Sequence, residues 1–179
     1  KIINLGEQNS VLNTFIAEIR DHVIQKDSMR FRRNLERIGE VFAYEISKVL
    51  PYKTKEVQTP LGIASCNLPD SQIVIGSIMR AGLPLHEGLL HYFDRSQNAF
   101  IAAYRKYGKD NKFTIQIEYS SSPSIEGKTL ILADTMLATG SSVVLAYNKL
   151  AENAIPEHTH LVCPIASVDG INYLSKHLP

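Results

Sequence analysis

Apolar residues recur along the first fifty positions at spacings of three and four. Val11, Leu12, Phe15, Ile16 and Ile19 fall on one helical face and predict an amphipathic helix. Phe31, Leu35, Ile38, Phe42, Ile46 and Val49 form a second stripe and predict a helix over 30–50, closed by Pro51, which cannot continue it. After Pro51 the period changes. Segments 53–59 and 61–66 flank Pro60-Leu61-Gly62 and predict a hairpin. Short apolar runs then alternate with helix-length segments. Strands are expected at 72–75, 99–104, 130–133 and 160–164, and helices at 83–92, 143–150 and 168–177. Over 113–119, Phe113, Ile115, Ile117 and Tyr119 alternate with Thr114, Gln116 and Glu118, the pattern of a half-exposed strand pair or flap, with Ser120-Ser121-Ser122-Pro123 as a flexible return.

Strands that alternate with helices predict an α/β fold, a mostly parallel sheet flanked by helices with a small hairpin or flap element. The 179 residues suffice for one such domain, with the N-terminal helices at 9–50. In an open sheet of this kind ligands bind at the carboxyl ends of the strands. Three junctions attract attention on that ground: Arg80 after the strand at 72–75, Arg105 after 99–104, and Asp134 after 130–133.

Composition narrows the picture mainly by exclusion. A formal net charge of +1 gives no electrostatic argument for nucleic acid or a membrane surface. No apolar run reaches the roughly 20 residues of a membrane span, and no signal peptide is visible at Lys1-Ile2-Ile3. Opening on Lys rather than Met, the chain is expected to have a natural N-terminus upstream. Cys66 and Cys163 lie far apart with no metal spacing, as expected of reduced thiols in a cytoplasmic protein. The six histidines are scattered; His158 and His160 have no carboxylate or cysteine partner in the sequence, so no metal site is expected from protein residues.

The densest chemistry lies in 129–142. An apolar strand ends at Asp134, and Thr139-Gly140-Ser141-Ser142 leads into a helix. Small residues between strand and helix aim backbone N–H groups and the positive helix end at one point, which suits a phosphate. The acid at the strand end can accept hydrogen bonds from hydroxyl groups of the same ligand, so the pair suggests a sugar phosphate. Asp134 also reads as an ordinary turn residue, and Thr-Gly-Ser-Ser as an N-cap. Neither a Walker A loop nor a Gly-x-Gly-x-x-Gly fingerprint is present. Arg80, in Gly76-Ser77-Ile78-Met79-Arg80-Ala81-Gly82, offers a guanidinium fork beside small residues, matched to two oxygens of a diphosphate or to a surface turn. Lys106, Lys109 and Lys112, with Gly108 and Asp110-Asn111 between them, read as an exposed turn that could also fold over an anion. Tyr104, Tyr107 and Tyr119 are expected to pack near the mouth of the site, and Arg30, Arg32 and Arg33 to form a solvated face.

Taken as a whole, Asp134-Thr135-Met136-Leu137-Ala138-Thr139-Gly140-Ser141-Ser142 resembles the loop that binds phosphoribosyl diphosphate (PRPP) in the phosphoribosyltransferases, and its Met-Leu-Ala-Thr-Gly wording resembles the uracil branch. Ile78-Met79-Arg80-Ala81-Gly82-Leu83 is similar to that family's Ile-Leu-Arg-Ala-Gly-Leu, and the likeness extends through Arg32, Tyr44-Glu45 and Thr59-Pro60-Leu61-Gly62, covering about 30–176.

The resemblance implies transfer of the 5-phosphoribosyl group from PRPP to uracil, giving UMP and diphosphate, with Mg²⁺ entering alongside PRPP. It implies a PRPP site made of Arg80, Arg105 and Asp134 with residues 135–142, and catalytic roles for Asp134 and Arg105. It implies a homodimer or higher homo-oligomer, with PRPP and uracil as partners, and makes subunit contact a second reading of the basic run Arg30, Arg32 and Arg33. Two readings stay open beside it: another base as acceptor, and a non-catalytic sensor of PRPP or nucleotide on the same fold. Two positions depart from the family's usual Asp-Pro-Met-Leu-Ala-Thr-Gly-Gly-Ser: Thr135 replaces Pro and Ser141 replaces the second Gly. Ser141 therefore carries a Cβ where a close phosphate or a positive φ is wanted. The family's Gly-Asp-Ala segment near the C-terminus, which binds uracil, is not in the chain, and a further C-terminal segment is expected to carry it.

Overall fold

The computed structural model describes residues 1–107, 113–152 and 154–178, and for 105–107 and 113–115 the backbone alone. Both N-terminal helices form where the apolar stripes predict them, with shifted ends. Helix α1 is Leu12–Arg20, and α2 is Ser28–Ser47. α2 starts two residues early because the Asp27 carboxylate accepts from the N–H groups of Met29 and Arg30 at 3.1 and 3.0 Å. It also ends early: after Ser47 the chain turns, burying Leu50 and leaving Val49 outside the stripe and exposed.

Strands β1 (Tyr52–Thr59) and β2 (Gly62–Pro69) pair antiparallel from Tyr52↔Pro69 to Thr59↔Gly62, the expected hairpin. The tight turn needs Gly62, whose φ is 135°. The central sheet then follows: β3 (Ile73–Met79), α3 (Leu83–Leu90), β4 (Gln97–Tyr107), β5 (Phe113–Ser121), β6 (Thr129–Ala133), α4 (Ser141–Leu150), β8 (His158–Val162) and α5 (Val168–His177). Two short strands, β7 (Met136–Leu137) and β9 (Ile165–Ala166), pair with each other outside it. The sheet order is β5-β4-β3-β6-β8, parallel except for β5, which runs antiparallel to β4. The α/β expectation of a mostly parallel sheet flanked by helices therefore holds.

Successive residues of a strand face opposite sides, and the sheet uses both. Ile75, Ile131 and Ala133 join Leu12, Ile19, Leu35, Ile38, Leu85 and Leu89 in a core beneath α1, α2 and α3. Val74, Ile78, Leu130 and Leu132 join Val143, Ala146, Tyr147 and Leu150 in a second core beneath α4. All five residues of β6 are buried, as a central parallel strand covered on both faces requires. α2 and α3 meet at backbone distance: a Cβ on Gly88 would lie 1.9 Å from the Glu36 carbonyl oxygen, and one on Gly39 would lie 2.4 Å from that of Leu85.

Three segments differ from the sequence reading. β3 continues four residues beyond Ile75, because Gly76, Ser77 and Ile78 are buried between β4 and β6 despite their loop-like composition. β4 runs on to Tyr107, so Arg105 lies within a strand and not at its end. Ser120 and Ser121 belong to β5, opposite Ile101 and Phe100, and are not part of the return.

Candidate active site at the carboxyl edge of the sheet

β6 delivers Asp134 to the sheet edge. The Asp134 N–H donates to the Val162 carbonyl at 3.1 Å, extending the β6–β8 ladder by one step. The side chain turns back on its own backbone and accepts from the Thr135 N–H at 2.8 Å. The carboxyl is half-buried, and that burial raises its pKa from the ordinary 3.8, against the opposing pull of the Thr135 and Met136 amides.

β3 delivers the second element. Arg80 follows Met79 directly, through a cis peptide bond, and its side chain is exposed. Residues 80–82 fold back against the strand ends. A Cβ on Gly82 would lie 2.6 Å from Ser77 Oγ, 2.7 Å from the Ile78 oxygen and 3.3 Å from the Ala133 oxygen. Glycine at 82 lets this loop lie against the strand ends, and the parallel pairing of β3 with β6, Ser77 opposite Ala133, puts Arg80 and Asp134 on one edge.

From Asp134 the chain passes through β7, zipped to β9 by the pairs Met136↔Ile165 and Leu137↔Ala166. The Ala138 N–H donates to the Met136 oxygen at 3.1 Å. Gly140 takes a left-handed φ of 78° as the N-cap of α4, and the Val144 N–H donates to its oxygen at 3.0 Å. The N–H groups of Thr139, Gly140, Ser141 and Ser142 have no acceptor among the described residues, and Thr139 Oγ1 donates to Ser141 Oγ at 3.3 Å. This is the cluster of free donors at a positive helix end that the sequence predicts. The positive φ falls on Gly140. Ser141 is the first residue of α4, so its backbone is helical and its Cβ meets no conformational objection.

Arg105 is the exception to the three-way convergence expected at strand ends. β4 pairs with β3 only as far as Ala102, then continues as an arm with β5 in which Arg105 sits opposite Ile115. Arg105 is therefore three residues past the edge of the parallel sheet, and its side chain lies outside the described atoms. Gly108, Lys109, Asp110, Asn111 and Lys112 lie outside the described residues, as do the side chains of Lys106 and Tyr107. On the same arm, the Tyr104 hydroxyl donates to Gln116 Oε1 at 3.2 Å, and both Tyr104 and Tyr119 are exposed.

The sequence reading gave Cys163 and Ser167 no part in this region. Cys163, just past β8, is pushed up to about 11 by burial and by the Asp134 charge, so its thiol stays protonated and is no nucleophile. Ser167 caps α5 by accepting from the Gly170 N–H at 2.8 Å, and its own N–H donates to the Leu137 oxygen at 2.9 Å. A Ser three residues before a glycine at the head of a predicted helix was the available signal, but only for a cap.

Of the histidines, His158 is exposed and His160 half-buried, its pKa lowered by that burial and then by the neighbouring His158. His86 is buried, with Nε2 2.9 Å from Asn98 Oδ1 and burial lowering its pKa. His91 bonds Glu40 through Nδ1 at 2.8 Å and approaches Glu36, which Arg33 also pairs with, on the α2–α3 face. Of the predicted solvated basic face, Arg30 meets Glu18 at 3.4 Å while Arg32 is exposed.

Known proteins resemble this chain along nearly its whole length. The family model for uracil phosphoribosyltransferase matches residues 7–179. A uracil phosphoribosyltransferase of Porphyromonas gingivalis is 50% identical over 179 residues, covering 100% of this chain and 83% of the relative. One from Pyrococcus furiosus is 30% identical over 176 residues, covering 97% and 74%. The structure of the AQ2163 protein from Aquifex aeolicus superimposes with a TM-score of 0.86 at 25% identity, covering 99% of this chain and 82% of that one.

Proposed function

Because the chain belongs to the uracil phosphoribosyltransferase family, we propose that it transfers the 5-phosphoribosyl group of PRPP to uracil, releasing diphosphate and forming UMP. The observation that carries the reading is the run of amides from Thr139 to Ser142, without acceptors among the described residues, at the head of α4, with a half-buried acid at the preceding strand end. A phosphate monoester satisfies such donors, and ribose hydroxyls satisfy the acid.

The reaction breaks the bond from ribose C1 to diphosphate, makes one from C1 to a uracil nitrogen, and releases the proton of that nitrogen to solvent or to the departing diphosphate. Positive charge develops on the ribose ring and negative charge on the leaving group. In this reading Thr139, Gly140, Ser141 and Ser142 hold the 5-phosphate, and so fix C1 against the base. Asp134 accepts from ribose hydroxyls and sets its charge near the ring. Thr135 and Met136 hold that carboxylate through their amides, and Leu137 and Ala138 carry the chain from the acid to the anion loop. Arg80 takes the diphosphate, its fork matched to two oxygens, and the family resemblance assigns Arg105 to the same group. The Asp134 carboxylate is an oxygen donor of the kind Mg²⁺ takes, and Mg²⁺ bound with PRPP would supply positive charge against the diphosphate.

The same reading makes the protein a cytoplasmic homodimer or higher homo-oligomer. The two free cysteines, Cys66 and Cys163, support the reducing compartment. No helix among the described residues is long and apolar enough to cross a membrane. The deciding experiment is diphosphate release from the full natural chain with PRPP, Mg²⁺ and each free nucleobase in turn. Release with uracil is expected; release with a different base replaces the acceptor, and silence with every base despite PRPP binding replaces the enzyme by a sensor.

A further inference from the structure

Ser167 does more than an N-cap requires. A cap needs only an acceptor, and Ser167 Oγ supplies one to the Gly170 N–H at 2.8 Å. The hydroxyl hydrogen is then left over, and it goes to the Ala138 carbonyl. The Ser167 N–H meanwhile donates to the Leu137 carbonyl at 2.9 Å. One residue therefore holds two successive carbonyls of the segment between Asp134 and α4.

The consequence follows from peptide geometry. In a planar trans peptide the C=O and N–H point in opposite directions. Drawing the Ala138 oxygen toward α5 turns the Thr139 N–H away from α5. That N–H is the first of the run that has no acceptor among the described residues. Gly170 reinforces the contact, since a Cβ there would lie 2.8 Å from the Leu137 oxygen and 3.0 Å from the Ala138 oxygen. The head of α5 is thus fitted to the back of the loop, carbonyl by carbonyl.

We propose that Ser167 is a positioning residue for the anion loop: it sets the plane of the Ala138–Thr139 peptide and so aims the first donor of the cradle at the 5-phosphate. The proposal rests on the PRPP reading above and adds to it a residue on another element, thirty-three positions after Asp134. It predicts a defect confined to the phosphate-bearing substrate.

The test is steady-state kinetics on the full natural chain with Ser167→Ala and Ser167→Thr, varying PRPP and uracil separately, with ribose 5-phosphate binding measured calorimetrically on the same proteins. In Ser167→Ala the KM for PRPP and the Kd for ribose 5-phosphate are expected to rise at least fivefold, with the KM for uracil within twofold of wild type. Ser167→Thr, which keeps the hydroxyl, is expected to restore both to within twofold. A lower melting temperature accompanies any lost cap, so it is not the readout. Wild-type PRPP and ribose 5-phosphate values in Ser167→Ala overturn the proposal alone, and so does an equal loss for PRPP and uracil. A wild-type protein that neither turns over PRPP nor binds ribose 5-phosphate overturns the parent reading, and this proposal with it.

Discussion

Gly140 and Gly170 stand back to back: a Cβ on Gly140 would lie 3.0 Å from the Gly170 carbonyl oxygen. The anion loop and the head of α5 approach this closely because neither has a side chain at the contact. Gly140 is doubly constrained, since its φ of 78° is one that L-residues avoid. Gly140→Ala combines that left-handed cost with contacts at 3.1 and 3.3 Å to Tyr173 and Leu174. We expect a loss of about 2 kcal/mol, from backbone strain of roughly 1–2 kcal/mol plus crowding. Urea unfolding reads this directly, and a raised KM for PRPP in the folded fraction accompanies it.

Asp134 is expected to trade stability for function. Asp134→Asn keeps an oxygen for the Thr135 amide but loses the charge, and turnover should fall more than tenfold, about 1.4 kcal/mol of transition-state stabilisation. Arg105→Ala should fall by as much with the fold intact. A near-normal rate in either variant removes that residue from the mechanism.

The same carboxyl gives a pH signature. Burial raises its folded pKa above the ordinary value, so the ionised form is penalised in the fold. The stability it costs is absent below the unfolded pKa and grows as pH rises through the folded one. Asp134→Asn should therefore melt above wild type at neutral pH, with the gap closing as pH falls through the carboxylate range. Melting curves at several pH values check this, and a variant less stable than wild type at neutral pH contradicts it.

Arg80→Lys keeps the charge and loses the fork. If the guanidinium takes two oxygens of the diphosphate, kcat/KM for PRPP should drop at least tenfold, while the KM for uracil changes little. Equal effects on the two substrates would mean that Arg80 serves the loop and not the ligand.

Gly88→Ala tests the scaffold alone. Its Cβ would sit 1.9 Å from the Glu36 oxygen, backbone against backbone, so α2 and α3 must separate. A destabilisation of about 3 kcal/mol is expected, at the upper end for an overpacked contact. Kinetic constants of the protein that remains folded should be unchanged.

Much of this was legible in the chain because periodicity reports burial. The helix at 168–177 and the acid at the end of β6 sit where the pattern puts them. The misreadings have physical causes. Gly76 and Ser77 look like a turn by composition, yet the neighbouring strands bury them, and tertiary pairing overrides propensity. The arm after Ala102 is polar because it leaves the parallel sheet, so no apolar signal marked Arg105 as a strand residue. β7 and β9 are two residues each, too short for any period, and their pairing helps bring Ser167 to the loop. Base recognition was not legible, because the pattern associated with it is not in this sequence.

The sheet also acts as a wall. One core lies beneath α1, α2 and α3, the other beneath α4, with Ile171 and Leu174 of α5 packed against it. Side chains on opposite faces do not share a cavity, so changes on one side leave packing on the other to a first approximation untouched. The anion loop and its supporting helix belong to the second compartment. Substitutions beneath the N-terminal helices should therefore be felt there and not at the head of α4: the plane that gives the fold its strength also divides it into two separately tunable halves.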